Sequence, residues 1–372
     1  MKKVLITGGC GFIGRYVIRE LQEHGYNIRV LDSLVEQVHG SDEGTSGAPL
    51  SEDVDFIRSD LRDADLVARA LDGVEGVLHL AAEVGVGQSM YEIARYVGAN
   101  DLGTGVLLEQ MIKRPIKRIV VASSMSVYGE GLYVRPDGSR VGNARRQASR
   151  VKAMQWDPVD ADGTPLKPAP TDEEKPVDLA SIYALTKYAQ ERQVLIFGEA
   201  YGVEAVALRL FNVFGPGQAL SNPYTGVLAN FSSRLANDQP PMIFEDGNQQ
   251  RDFVHVRDVA RAFRLALEKP DAPGHVINIG SGQAYTITEV ATRLAEVMGK
   301  SEIMPDILGK ARSGDIRNCF ADISKARDLL GFEPEHKLET ALPELAEWVR
   351  STAAIDRGAE MRRQLEERGL VS

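Results

Sequence analysis

Short apolar runs alternate with helical patterns through the first two-thirds of the chain. The predicted strands are brief apolar runs, at 4–6, 27–31, 56–57, 76–80, 118–122 and 205–210. The predicted helices between them have apolar faces, as in 16–21, 65–71, most of 91–110 and 181–200. Such alternation is typical of an α/β fold with a parallel, doubly wound sheet, whose ligands bind beyond the carboxyl ends of the strands.

The alternation weakens after about residue 215, where loops rich in Gly, Pro and Asn begin. A second strand–helix unit is predicted at 276–280, and Thr286 with Glu289 has the spacing of a capping box at the start of a helix. We therefore expect a cofactor domain over 1–215 and a smaller α/β substrate lobe over 216–350, with the chain free to cross between them. The charged segment 351–372 is predicted to be an exposed helix or tail.

Composition narrows the range of partners and compartments. The 372 residues carry a net charge of -10, which argues against nucleic acid or an anionic membrane as a partner. Two cysteines argue against a disulfide framework and fit a reducing compartment. Six histidines lack the spacing of metal ligands, so no metal is expected. No segment approaches the ~18 apolar residues of a membrane helix, and the protein is expected in the cytoplasm.

The first fourteen residues have the strand, glycine turn and helix order of a dinucleotide site. The run T-G-G-C-G-F-I-G at 7–14 joins the first strand to the first helix. Glycines let backbone amides approach a pyrophosphate, whose charge suits the helix N-terminus. Asp32 ends the next predicted strand, where a carboxylate binds the ribose hydroxyls of NAD and repels the extra phosphate of NADP.

Tyr183 and Lys187 lie four residues apart in the run S-I-Y-A-L-T-K at 181–187. On a helix, this spacing places both side chains on one face. A phenol titrates near ~10, and a neighbouring ammonium favours the phenolate and brings the phenol pKa toward neutrality. An isolated pair of this kind is more often a surface feature, but here the glycine turn supplies a matching cofactor site.

Other polar positions support one site at one edge of the sheet. The residues that follow directly on predicted strands are Gly8, Asp32, Asp60, Ala81, Ser124 and Asn212. His79 and His255 lie in apolar surroundings and are expected to be structural histidines. Residues 131–170 join the strand before Ser124 to the helix of Tyr183, with mixed charge and little apolar content. Two interpretations stay open for them: a solvated surface excursion or a flap beside the active site.

Taken together, these motifs resemble those of the extended short-chain dehydrogenases/reductases, in particular the nucleotide-sugar epimerase/dehydratase branch. Further matching runs are H-L-A-A at 79–82, N-D-L-G-T at 100–104, S-S-M-S-V-Y-G at 123–129, R-L-F-N-V-F-G-P at 209–216 and R-D-F-V-H-V-R-D at 251–258. The resemblance covers residues 1 to about 350. It implies a Rossmann domain with NAD as cofactor and a nucleoside-diphosphate sugar as substrate.

The resemblance also implies roles for individual residues. Ser124 hydrogen-bonds the reacting hydroxyl, Tyr183 is the acid/base, and Lys187 holds the nicotinamide ribose while lowering the pKa of Tyr183. The implied NAD-binding residues, besides Tyr183 and Lys187, are Gly8, Gly11, Phe12, Ile13, Gly14, Asp32, Asp60, Leu61, Ala81, Ala82 and Asn100. The implied substrate-binding residues are Ser124, Ser126, Asn212, Val227, Phe244, Arg251, Arg312 and Asp315, with Phe244 stacked on the base.

The two arginines also follow from chemistry, because an anionic diphosphate is bound best by guanidinium groups. For Arg251 there is a structural alternative, a salt bridge to the nearby Asp252 or Asp258.

The residues after Ser124 bear on the reaction. Dehydratases of the family place Asp-Glu there, because eliminating water requires an acid and a base, and decarboxylating relatives place a Glu at the second position. This chain has Met125 and Ser126, which serve neither purpose. The reaction that remains is oxidation and re-reduction at one carbon. We therefore expect a 4-epimerase that regenerates its NAD in each turnover.

The substrate is less closely defined. The stretch 218–227 and the 131–170 excursion resemble bacterial 4-epimerases of dTDP-6-deoxyhexoses such as dTDP-L-rhamnose. UDP-glucose 4-epimerases typically carry an Asn where Gly226 stands, so UDP-glucose or UDP-galactose comes second. A net oxidoreductase such as a 4-keto-sugar reductase, and an inactive NAD-sensing protein, are further alternatives. Sensors usually lack the Tyr or the Lys, and this chain has both.

The apolar faces around 91–110 and 181–200 bear on assembly. The resemblance suggests that they pair across a homodimer, while packing in the core explains the same pattern.

Overall fold

The computed structural model describes residues 2–39, 50–220, 222, 226–312, 314–352 and 358–371. Its strands are β1 (Lys3–Thr7), β2 (Asn27–Asp32), β3 (Asp55–Arg58), β4 (Gly76–His79), β5 (Arg118–Ser124), β6 (Leu132–Val134), β7 (Arg140–Val141), β8 (Lys167–Ala169), β9 (Glu204–Leu210), β10 (Asn212–Phe214), β11 (Met242–Ile243), β12 (Gln250–Arg251), β13 (Phe253–His255), β14 (Val276–Ile279), β15 (Tyr285–Thr286), β16 (Asp306–Ile307) and β17 (Asn318–Cys319). Its α-helices are α1 (Phe12–Glu23), α2 (Glu36–His39), α3 (Ala64–Ala70), α4 (Val86–Ser89), α5 (Ile93–Tyr96), α6 (Gly103–Met111), α7 (Ala148–Lys152), α8 (Ile182–Tyr201), α9 (Val227–Ala236), α10 (Val256–Glu268), α11 (Ile287–Val297), α12 (Ser324–Leu330), α13 (Leu338–Ser351) and α14 (Gly358–Glu367). A π-helical turn spans Val97–Leu102 and a 3-10 turn spans Met125–Tyr128.

A seven-stranded parallel sheet with the order β14-β9-β5-β4-β1-β2-β3 forms the centre of the molecule. Val4 of β1 lies opposite both Ile28 of β2 and Gly76 of β4, so the strand order reverses at β1. Helices cover both faces: Val4 and Ile6 pack toward α1 and α10, while the alternate residue Leu5 packs toward α3, α6 and α8. The predicted doubly wound sheet is confirmed, and its reversal point creates a crevice at the strand ends.

Strand β14 corrects the sequence-based assignment of 276–280 to the smaller lobe. It is an edge strand of the large sheet, where Val276 lies opposite Ala207 of β9. Ile277 and Ile279 are fully buried there. An apolar run does not specify which sheet it joins, because pairing depends on distant residues. The boundary between the cofactor domain and the smaller lobe remains a prediction.

A second core lies around α9, α11 and α13, with Phe231, Val290 and Leu345 buried together. The predicted capping box starts α11: Glu289 N donates to Thr286 Oγ1 at 3.1 Å, and Thr286 N donates to Glu289 Oε2 at 2.8 Å. Three members of this core, Leu228, Phe231 and Phe253, also line the crevice.

Two further segments depart from the simple alternation. The region 91–110 is helical as predicted, but it divides into α5, the π turn and α6. Residues 131–170 include a three-stranded antiparallel sheet, β7-β6-β8, with a small core around Tyr133 and Leu166. Across the described residues, no helix combines the length and apolar character needed to span a membrane.

Candidate active site

The glycines of the turn after β1 allow other backbone atoms to lie very close to it. Gly8 has a φ of +71°, and a Cβ there would lie 2.7 Å from the amide nitrogen of Ala81. A Cβ on Gly14 would lie 2.6 Å from the Gly8 carbonyl oxygen. Gly11 caps α1, which places the N-terminus of this helix at the crevice together with Phe12 and Ile13. Backbone amides and helix dipole together suit a pyrophosphate, so these residues fit a dinucleotide.

Asp32 ends β2 as a buried carboxylate at the wall of the crevice. Its oxygens accept hydrogen bonds from the amides of Cys10 and Leu34, both at 2.9 Å, and His39 Nε2 lies 3.6 Å away. Burial raises the pKa of Asp32, but these hydrogen bonds outweigh burial and the net pKa is lowered. The carboxylate is therefore held charged where the sequence predicted the ribose contact.

The residues predicted to bind adenine, and Ala81 and Ala82 beside them, lie at the ends of the neighbouring strands. Asp60, Leu61, Ala81 and Ala82 line the crevice, and Asp60 pairs with the exposed Arg62 at 2.7 Å. These positions come together as expected from the parallel sheet.

Asn100 is fully buried in the π turn and lies behind the crevice wall rather than on it. Its side chain accepts from the amide of Glu83 at 2.7 Å and donates to Thr186 Oγ1 at 2.9 Å. Asn100 therefore supports the loop at Glu83. A direct contact between Asn100 and the cofactor remains a prediction.

Ser124 and Tyr183 are brought together at the base of the crevice. Ser124 ends β5, and its Oγ lies 2.6 Å from Ser126 Oγ. Tyr183 is in the first turn of α8, which is capped by Ser181. Burial raises the pKa of Tyr183, and a hydrogen bond with the Ser124 side chain opposes that rise. A hydroxyl group and a phenol therefore line one crevice at the strand ends.

Lys187 lies in the same crevice, but its ammonium is engaged elsewhere. Nζ donates to Gln190 Oε1 at 2.6 Å, and burial, opposed by Glu191, lowers the pKa of Lys187 to about 7. The sequence predicted that Lys187 lowers the pKa of Tyr183, and this is not seen. Burial is the largest influence on the pKa of Tyr183 and on that of Lys187, and at Tyr183 a hydrogen bond with Ser124 opposes the effect of burial. Gln190 was missed from sequence, although its spacing of three from Lys187 on a helix places it on a nearby face.

His79 is the structural histidine that the sequence predicted. Its Nδ1 lies 2.8 Å from Thr7 Oγ1, and its Nε2 lies 2.9 Å from Thr104 Oγ1 and 3.1 Å from Gln190 Nε2. Burial, together with the Lys187 charge, lowers the pKa of His79 to about 3. The neutral ring ties Lys187, through Gln190, to the central strands.

Arg251 faces the crevice without a carboxylate partner among the described residues. Its guanidinium donates to the carbonyls of Gln250 and Arg317, both at 2.9 Å, and to that of Ile316. The alternative salt bridges are wrong: Asp252 accepts from Ser281 and its neighbours, and Asp258 accepts from Arg261 and the 335–336 backbone. An available guanidinium suits an anion.

The remaining predicted substrate residues line the same crevice. We call this predicted set the substrate wall: Asn212, Val227, Phe244, Arg251, Arg312 and Asp315. The Arg312 guanidinium stacks on the Phe244 ring, 4.4 Å from its centroid, and pairs with Asp315 at 2.8 Å. Val227 begins α9 and lines the crevice. Asn212 Oδ1 is buried without a hydrogen-bond partner in the described part of the chain. Two residues that sequence reasoning missed, Gln218 and Gln249, also line the crevice and have unpaired buried Oε1 atoms.

The insertion 131–170 contributes no residue to the lining of this crevice among those described. Its Arg146 instead reaches behind the substrate wall, where it pairs with Glu130 at 2.9 Å and with Glu245, and donates to the Asp315 carbonyl. This favours neither a free surface excursion nor a flap over the crevice. The described residues hold no group of three or more His, Cys, Asp or Glu side chains arranged to bind a metal.

Residues 4–280 match the model of the NAD dependent epimerase/dehydratase family, and the chain belongs to that family. It is an NAD-dependent epimerase, with NAD as the cofactor that the glycine turn and Asp32 fit. It is 36% identical to a dTDP-L-rhamnose 4-epimerase of Burkholderia thailandensis, over 94% of this chain and 95% of that one.

Two solved structures are similar along nearly the whole chain. A UDP-glucose 4-epimerase of Thermotoga maritima with UDP-glucose has a TM-score of 0.76 and 31% identity, over 94% of this chain and 99% of that one. A UDP-glucose 4-epimerase of Thermus thermophilus in complex with NAD has a TM-score of 0.74 and 28% identity, over 94% of this chain and all of that one.

Proposed function

We propose that the protein inverts carbon 4 of a nucleoside-diphosphate sugar through a transient 4-keto sugar, and that its substrate is a dTDP-6-deoxyhexose such as dTDP-L-rhamnose. The observation that carries the proposal is that Ser124 and Tyr183 line the same crevice as Arg251 and Arg312. An acid/base group and a site for an anionic diphosphate are thereby joined in one cavity of about 1010 Å³.

The chemistry is divided between Tyr183 and Ser124. The Tyr183 phenolate takes the proton of the 4-hydroxyl and later returns it, while Ser124 donates a hydrogen bond to the same sugar oxygen. NAD, when bound, supplies the acceptor and then the donor of the hydride at carbon 4. Lys187, released from Gln190 and charged, would hold the nicotinamide ribose and favour the phenolate, which burial alone disfavours.

The substrate wall would hold the nucleotide while the keto sugar turns. Arg251 has only carbonyl partners among the described residues and would bind the diphosphate, with Arg312 beside it. Phe244 would stack on the base. The unpaired oxygens of Asn212 and Gln249 would accept hydrogen bonds from the ligand.

Elimination of water is disfavoured by the side chains beside Ser124. The Met125 side chain is buried, and the Ser126 hydroxyl bonds Ser124 Oγ. Neither group supplies the carboxylic acid that dehydration requires. Epimerisation requires only the Ser124–Tyr183 pair and a cofactor that is regenerated.

The choice of dTDP-L-rhamnose over UDP-glucose rests on the Burkholderia relative, which is 36% identical over 94% of this chain. UDP-glucose or UDP-galactose is the second candidate, because the similar Thermotoga enzyme was solved with UDP-glucose. Part of the 218–227 stretch that favours dTDP, Ser221 and 223–225, lies outside the described residues.

The deciding experiment is incubation of the purified protein, without added cofactor, with dTDP-L-rhamnose and separately with UDP-galactose. Proton NMR would report inversion at carbon 4 with the first sugar and little with the second. Inversion of UDP-galactose alone would establish the second candidate. A requirement for added NAD(P)H with net reduction of a 4-keto sugar would instead make the protein a reductase and overturn the proposal.

We also propose a cytoplasmic homodimer. Half-exposed apolar side chains lie on both helical regions that the sequence indicated: Ile93, Val97 and Leu102 on one, Leu185 and Ile196 on the other. Their exposure supports pairing with a second copy rather than packing in the core. The free thiols of Cys10 and Cys319 support a reducing compartment.

A further inference from the structure

The C-terminal helix α14 has one apolar face and one charged face. Met361 and Leu365, four residues apart, are 6% and 2% exposed. Arg363 and Glu367, on the other side, are mostly exposed. The sequence predicted an exposed helix or tail for 351–372; the helix is present, but one of its faces is buried. Its position is decided by contacts with distant residues, which the charged composition of the segment conceals.

The buried face of α14 lines the active-site crevice. Met361, Leu365 and the following Leu370 line the same cavity as Tyr183 and Arg312. Together, the three apolar side chains form a wall over the space assigned to the sugar nucleotide. We call Met361, Leu365 and Leu370 the C-terminal wall.

On the cofactor side, the C-terminal wall is attached through Tyr91. The Arg368 guanidinium lies 4.3 Å from the centroid of the Tyr91 ring, and the Tyr91 hydroxyl donates to Gln364 Oε1 at 3.4 Å. Tyr91 lies two residues beyond Ser89, whose Oγ accepts from the Tyr183 amide at 3.0 Å. One edge of the wall is therefore close to the catalytic helix.

On the substrate side, Lys310 Nζ pairs with Glu366 Oε1 at 3.0 Å, and Arg312 forms an antiparallel bridge with Val371. The helix and the residues that follow it thus contact both Tyr91 and the segment 310–312. The polar attachments are one exposed ion pair, a cation–π contact, a long hydrogen bond and a single bridge, which contribute little to stability. Burial of Met361 and Leu365 is therefore the main interaction that holds the closed position, and local opening of this size allows that position to be left and regained.

We propose that the C-terminal wall is part of the sugar-nucleotide site, opening to admit substrate and, when closed, retaining the 4-keto intermediate. The proposal rests on the epimerase function proposed above. In the first half-reaction, the O4 proton passes to Tyr183 and the C4 hydride to the cofactor, which leaves a C4 ketone. If the 4-keto sugar is released, the two electrons remain on NADH. The enzyme then lacks NAD and cannot begin another turnover. A wall that closes over the crevice prevents this loss while the sugar turns.

The first test compares two double variants. Met361→Ser with Leu365→Ser makes the wall polar, and Arg363→Ser with Glu367→Ser, on the exposed face of the same helix, is the matched control. With the substrate identified by NMR, we expect the wall variant to raise KM about tenfold and to accumulate NADH over successive turnovers, seen in its near-ultraviolet absorbance. Borodeuteride added to the filtered solution should trap free 4-keto sugar as deuterated product. The control should behave as the wild type.

A wall variant with wild-type KM, no accumulated NADH and no trapped ketone would overturn the proposal while leaving the epimerase function intact. A second measurement uses the wild type and does not depend on turnover or on the folding of a variant. Hydrogen–deuterium exchange of peptides covering 358–371 should slow at least threefold when dTDP or UDP binds. Unchanged exchange with bound nucleotide would also overturn it, whereas slowed exchange in a protein that epimerises neither sugar would support the wall and reject the proposed reaction.

Discussion

At the scale of single residues, the site shows burial competing with hydrogen bonding. Burial raises the pKa of the Tyr183 phenol and lowers that of the Lys187 ammonium, so each group is pushed toward its neutral form. At Asp32, amide and imidazole donors outweigh burial and keep the carboxylate charged. The difference follows from the partners: Asp32 accepts from several donors, while Lys187 donates to the neutral Gln190.

Tyr183→Phe tests the acid/base role. We expect turnover to fall about a thousandfold, because general acid–base catalysis contributes factors of this order, while the amount of copurified NAD stays unchanged. The control is Tyr201→Phe, an exposed residue at the end of the same helix. Turnover by Tyr183→Phe within a few-fold of the wild type would remove the phenol from the mechanism.

Asp32→Ser tests the cofactor contact. Loss of the carboxylate removes both the ribose partner and the charge that repels a 2′-phosphate, so the ratio of NAD to NADP affinity should fall about tenfold or more, or ~1.4 kcal/mol. Calorimetric titration of cofactor-free protein measures both affinities. Asp65→Ser, in the first turn of α3, is the control. An unchanged ratio would show that Asp32 only anchors the glycine turn.

At the scale of elements, the 131–170 insertion is joined to the substrate wall by a buried ion network. Arg146 pairs with Glu130 and Glu245, and Arg317 pairs with Glu245 at 3.1 Å. Glu245 itself has a φ of +57°, a left-handed conformation that is unusual for a residue other than glycine. The carboxylate that follows Phe244 is thus held by arginines from two distant segments.

Arg146→Met tests this network. Removing the guanidinium leaves Glu130 and Glu245 buried with one partner fewer, so the free energy of unfolding should fall by about 3 kcal/mol. The midpoint of urea unfolding measures this. Its neighbour Arg145, exposed and paired with Asp178 at 2.6 Å, offers the control Arg145→Met, which should shift the midpoint much less because solvent screens an exposed pair. Equal effects of the two variants would mean that the buried network does not stabilise the wall.

At the scale of the whole molecule, one sheet and one crevice combine contributions from both ends of the chain. The glycine turn lies near residue 8 and the C-terminal wall near residue 365, and both line one cavity. Among the exposed apolar side chains, Ile93, Val97 and Leu102 lie on the 91–110 region, and Leu185 and Ile196 lie on α8. Their position predicts where a second copy binds.

Ile196→Glu tests the dimer. A charge at the centre of an apolar interface is costly to bury, so we expect the sedimentation mass of the variant to fall from dimer to monomer while NAD stays bound. Met304→Glu places the same charge at an exposed position distant in sequence and should leave the mass unchanged. A wild type that sediments as a monomer would contradict the proposal directly.

The sequence by itself determined what depends on local periodicity and short-range chemistry. It predicted the alternation of strands and helices, the glycine turn, the carboxylate that ends β2 and the helix that carries Tyr183 and Lys187, because neighbouring residues decide these features. Parallel strands also carry their C-terminal residues to one edge, so the sequence alone predicts that Ser124 and Asp32 share one site.

Only the tertiary structure decided which distant groups meet. It placed β14 in the large sheet, turned Lys187 toward Gln190, set Arg146 behind the substrate wall and laid α14 over the crevice. No local pattern carries these contacts, since they depend on pairing across long stretches of chain. Desolvation of a side chain likewise depends on the residues that the fold packs around it. The direction of the Tyr183 pKa shift therefore follows from the tertiary structure and not from the local sequence.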